Sequence, residues 1–111
     1  MTTKQIATMV ASIGLPYAYY EFPDDTALEP PFVCFMLTEN NDFLADNTNY
    51  TDTRTLVIEL YTAQKSFTWE NTIREVLNTK ELPVRQSSDF LESEHIYITT
   101  FTTEVILENG E

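Results

Sequence analysis

Apolar residues recur at helical spacing from Thr3 to Ile13, where Ile6, Met9, Val10 and Ile13 share one face. Thr2 or Thr3 can cap the start, and Gly14 followed by Pro16 ends the helix. The period then changes to two. Tyr17 to Phe22 alternates as a strand, with Ala18, Tyr20 and Phe22 on one side and Tyr17, Tyr19 and Glu21 on the other. Residues 23–31, PDDTALEPP, read as a loop because three prolines remove ladder donors and Asp favours turns. Phe32 to Leu37 is continuously apolar, as in a central strand covered on both faces.

Arg54 to Thr62 is the clearest strand, with Leu56, Ile58 and Leu60 on one face and Val57, Glu59 and Tyr61 on the other. A second helix starts at Ser66 or Thr68 and runs to about Asn78 on a stripe of Trp69, Ile73, Val76 and Leu77. Leu82 to Gln86 reads as a short strand and Ser87 to Glu92 as a turn. Glu94 to Leu107 is a long strand rich in Ile, Tyr, Thr, Phe and Val. The order α-β-β-β-α-β-β predicts an α+β fold: a mostly antiparallel sheet of about five strands with two helices on one face. Residues 1–111 form one domain, since a second would lack a core. The uncovered sheet face is expected to carry Tyr19, Tyr61 and either Tyr97 or Phe101. Such an exposed aromatic patch marks association.

Composition narrows the chemistry. Eighteen acidic residues against six basic give a net charge of −12. A free chain of that charge is repelled by phosphate backbones and by anionic lipid, so neither direct nucleic-acid binding nor membrane binding is expected. With only Gly14 and Gly110, a phosphate-cradling glycine loop is excluded. The single Cys34 cannot form an internal disulfide and reads as a buried small hydrophobe in a reducing compartment. No apolar leader and no run of roughly 18 apolar residues is present, so an unexported soluble chain is expected. The carboxylates of DFLADNTNYTD match no calcium loop, and the lone His95 has no partner at metal-ligand spacing. No nucleophile is marked by a local motif. The expectation is therefore no enzyme, no metal and no cofactor.

The segment from Asn40 to Asp52 is longer than a hairpin needs, and it sets Phe43, Leu44 and Tyr50 among Asn, Asp and Thr. Two interpretations stand: these side chains fold back on the core rim, or they anchor a neighbouring subunit. On the second, Phe43, Leu44, Asp46 and Tyr50 are interface candidates. Arg54, one of three arginines, pairs either as an ordinary surface ion pair or with a carboxylate of the adjacent subunit.

The succession of GLPYAYYEF, PPFVCFML, ADNTNYTDTRTLVIELYT, a helix bearing Trp and Glu, and LESEHIYITTFTTEV covers nearly the whole chain. It resembles the tail terminators (tail-completion or tail-to-head joining proteins) of phages and prophages of Gram-positive bacteria. The most specific pieces are PPF (Pro30 to Phe32), ADNTNY (Ala45 to Tyr50) and ELYT (Glu59 to Thr62). The resemblance implies a structural virion protein of the neck, assembled in the host cytoplasm as a homohexameric ring. The ring would cap the tail tube, contacting the major tail tube protein and the head-closure protein while genome DNA passes without specific binding. An acidic lumen suits that passage, and Asp24, Asp25, Asp42 and Asp46 are the candidates to line it. A head-closure or connector subunit is the first alternative, and an acidic DNA mimic that binds a basic partner is the second.

Overall fold

A computed structural model describes residues 1–22, 29–39 and 52–107. The elements follow the expected order: α1 (Thr3–Ala11), β1 (Tyr17–Tyr19), β2 (Phe32–Glu39), β3 (Asp52–Thr62), α2 (Phe67–Thr79), β4 (Arg85–Leu91) and β5 (Ile96–Leu107). They form a five-stranded sheet of order β1-β2-β3-β5-β4, antiparallel except for the β1–β2 pair. The fold is α+β.

Both helices begin where hydroxyl caps satisfy otherwise orphaned N–H groups. Thr2 accepts from the Gln5 amide (3.1 Å) while Gln5 returns a bond to the Thr2 amide (2.9 Å), a reciprocal box. Ser66 accepts from the Trp69 amide at 3.3 Å, which selects it over Thr68 as the cap. Past α1, Gly14 takes φ +95° and swings the chain towards β1.

Strand register explains why both helices share a side. Val33 faces Leu60 and Phe35 faces Ile58 across β2–β3, while Ile58 faces Phe101 and Leu60 faces Thr99 across β3–β5. Directly paired residues point the same way, so these side chains make one apolar stripe across three strands. Against it pack Ile6, Met9 and Val10 of α1 and Ile73 and Leu77 of α2, all buried. Each such side chain contributes about 1.5–3 kcal/mol by leaving water.

Beyond shifts of two residues at the end of α1, the end of β2 and the start of β3, three boundaries differ from expectation for visible reasons. β1 stops at Tyr19, not Phe22, because Tyr20 adopts φ +71° and the Glu21 amide turns back to the Tyr19 carbonyl (2.9 Å). β4 spans Arg85–Leu91, so the Ser-Ser-Asp stretch assigned to a turn is strand; its pairing with β5 overrides local turn preference. β5 starts at Ile96, because His95 at φ +51° belongs to the preceding turn. β2 is also not covered equally on its two faces. Val33 and Phe35 are buried beneath the helices; on the other face Cys34 is buried too, while its neighbours Phe32 and Met36 stay half-buried.

Two substitutions test this account by urea denaturation. Phe101→Ala empties a fully buried site in the stripe and should cost about 3–5 kcal/mol. In Gly14→Ala the new Cβ meets no atom within 4 Å, so only the left-handed backbone opposes it, at about 1–2 kcal/mol.

Candidate functional site

The sheet face away from the helices carries a row of rings. Phe32 and Tyr61 are direct cross-strand neighbours and stack with centroids 4.8 Å apart and planes 15° apart. Phe22 meets Phe32 edge-on at 5.4 Å, and Ile98 stands opposite Tyr61 on the other side. No described helix covers this row. It differs from the patch expected from sequence. Phe101 is fully buried under the helices, and Tyr19 packs edge-on against Phe35 at 5.3 Å on the helix side. Tyr97 shares the parity of Phe101 and packs on Phe90 (4.7 Å). Of that group only Tyr61 lies on the open face. β5 bears apolar or β-branched residues on both sides, so alternation alone could not fix its parity.

Beside the rings, Tyr61 donates its hydroxyl proton to Glu59 Oε1 (2.8 Å), and Glu59 stands opposite Cys34. Burial, followed by the Glu59 and Glu21 charges, pushes the Cys34 thiol above its ordinary value. Burial and the bond to Glu59 push the Tyr61 hydroxyl up as well. Both groups keep their protons at neutral pH, the opposite of what a nucleophile or general base requires. Among the described residues, no three His, Cys, Asp or Glu side chains gather as metal ligands.

The helix-covered side contains a polar network that the apolar pattern left out. Glu70, 4% exposed, receives Lys65 Nζ at 2.5 Å, Gln86 Nε2 at 3.1 Å and Thr99 Oγ1 at 3.4 Å. Arg74 in turn donates to Gln86 Oε1 at 2.6 Å. The network ties α2 to β4 and β5, and its partners satisfy a charge that would otherwise be costly to bury. Its signal was present in the spacing, for Glu70 lies three residues before Ile73 and seven before Leu77, on the core side of α2.

A groove of about 430 Å³ runs between the two helices, with Met9 and Val76 among the residues lining it and Lys4 and Lys80 beside them. None of its described lining residues is acidic. In a chain of net charge −12, two of six basic residues therefore share one cleft.

Among the residues singled out from sequence, Arg54 is half-buried in β3, opposite Glu39 and Val105 of its own chain. Phe43, Leu44, Asp46, Tyr50, Asp24, Asp25 and Asp42 lie outside the described residues. The chain matches no family model and no curated protein.

The raised thiol and phenol fix the sign of an alkaline effect. Both groups hold protons more tightly in the folded chain, so their contribution to stability is complete below the ordinary thiol value of 9.0 and is lost as pH rises beyond it. The urea midpoint should fall between about pH 8 and about pH 10.5, and fall less in Cys34→Ala combined with Tyr61→Phe. Separately, Glu70→Ala should destabilise the protein by about 2–4 kcal/mol in the same assay, because it removes the acceptor shared by Lys65, Gln86 and Thr99.

Proposed function

We propose that this protein is a non-catalytic structural subunit of a phage neck: a ring-forming tail terminator, which its sequence resembles. On this reading six copies cap the finished tail tube, engage the major tail tube protein on one side and the head-closure protein on the other, and let genome DNA pass.

The observation that carries the reading is the half-buried aromatic row Phe22–Phe32–Tyr61, which no described helix covers, on a sheet whose opposite face is sealed by both helices. Stacked rings left half-exposed in a single copy are the usual core of a protein interface, where aromatic anchors exclude water. The charge supports the same reading. An acidic lumen repels the phosphate backbone and shortens the residence of passing DNA, whereas a wall that bound DNA would stall ejection.

Size-exclusion chromatography with light scattering, alone and with assembled tail tubes, tests this. Rings are expected, seen by negative-stain microscopy at tube ends. Phe32→Asp should weaken assembly by about tenfold or more, measured at a temperature where the variant, which also loses its contacts with Phe22 and Tyr61, is still fully folded. A subunit that stays monomeric with tubes present, and instead binds a basic DNA-binding protein, would favour the DNA-mimic alternative.

A further inference from the structure

We infer that the groove between α1 and α2 receives the β4–β5 hairpin tip of a second copy, making a head-to-tail contact between subunits. This deepens the ring reading and rests on it.

The two surfaces are complementary in chemistry. The groove has Met9 and Val76 at its floor, hydroxyl side chains such as Thr8 and Thr79 along it, Lys4 and Lys80 among its walls, and no described carboxylate. The hairpin tip offers the reverse set. Phe90 and Leu91 are 43% and 40% exposed, and the exposed Glu92 and Glu94 follow directly. The tip is also pre-shaped. The Glu94 amide donates to the Leu91 carbonyl (3.2 Å), the His95 amide donates to the Glu92 carbonyl (3.3 Å), and Phe90 rests on Tyr97. A tip already ordered loses little conformational freedom on docking.

The fold sets the tip and the groove's two lysines toward opposite ends of β5, so the tip that docks comes from another molecule. The groove follows α1 from Thr2 to Ser12 and takes in the last turn of α2; its two lysines lie toward the end of the sheet where α2 finishes before β4 begins at Arg85, and where the Met1 amine binds the Ile106 carbonyl at 3.0 Å. The tip lies where β4 ends and β5 begins, at Leu91 and Ile96. β5, 12 residues and roughly 36 Å long at about 3.3 Å per residue, runs from the tip to the end at which the groove starts, beside Met1 and Thr2. A subunit with plug and socket at opposite ends cannot satisfy itself. Copies joined in this way have heterologous interfaces, which close into rings when the rotation allows.

Charge reversal tests the contact. Lys4→Glu with Lys80→Glu turns the groove acidic, and Glu92→Lys with Glu94→Lys turns the tip basic. Each pair should weaken assembly by about tenfold or more in light scattering and sedimentation, with an unchanged thermal midpoint. The tip variant is the sharper of the two. It lowers the net charge from −12 to −8 (two changes of +2 each), so it relieves general self-repulsion and yet should dissociate. All four changes in one chain should restore assembly. Should the groove variant fold poorly, Lys4→Gln with Lys80→Gln replaces it, with a smaller expected loss. A wild-type protein that assembles, with charge-reversed variants that assemble equally well, overturns the groove contact and leaves the ring reading intact. A wild-type protein that stays monomeric, alone and with tail tubes, overturns both.

Discussion

The antiparallel ladder between β3 and β5 governs the rest of the molecule. It runs unbroken from Asp52 opposite Leu107 to Thr62 opposite Tyr97, and it aligns Leu56, Ile58 and Leu60 with Thr103, Phe101 and Thr99. One register therefore decides which side chains form the stripe that the helices cover. A slip of one residue would carry Phe101 to the opposite face and bring Thr100 or Thr102 under the helices. Everything outside the stripe inherits the same decision. Because Ile58 points to the helices, Glu59 and Tyr61 cannot, and the open face is fixed in composition by the need to build the closed one.

This division allots different chemistry to the two sides. Beneath the helices the polar atoms are mostly matched: Glu70 has three donors, and the hydroxyls of Thr99 and Ser88 approach within 3.4 Å. The Thr103 hydroxyl is the buried side-chain group left without a partner among the described residues. On the other face, the stacked rings of Phe32 and Tyr61 sit beside Glu59 and a buried thiol, and burial pushes both the Cys34 thiol and the Tyr61 hydroxyl upward. The cationic groups that remain accessible are few, and two of them flank the helix groove. A strongly acidic chain thus keeps a local positive feature without any basic cluster in its sequence, because the folded helices bring Lys4 and Lys80 to one cleft.

Much of the fold was legible because each element carried a strong local signal. The α1 stripe, the alternation of β3 and the Ser66 cap each follow from side-chain period or backbone donors close in sequence. What was not legible depends on partners far along the chain. Ser87, Ser88 and Asp89 look like turn residues until β5 supplies the ladder. Tyr20 ends β1 through a backbone angle that a Tyr gives no reason to expect. The open face was anticipated in kind, but most of its members were wrong, since only cross-strand register shows that Phe32, not Tyr19, lies beside Tyr61. For the candidate site, the residues drawn from the 40–52 segment fall outside the described residues, while the groove depends on two helices that are distant in sequence and so has no local signature.

The Glu70 network has a mechanical consequence. β4 is an edge strand whose seven residues are all exposed, and such a strand would ordinarily be the first to peel from a sheet under load. Here Gln86 grips Glu70 and Arg74 together, so a pull on the strand is shared with a buried anion and with the helix axis above it. Detaching the strand at Gln86 therefore also breaks its bonds to α2, so the margin of the sheet is tied to the helix as well as to β5.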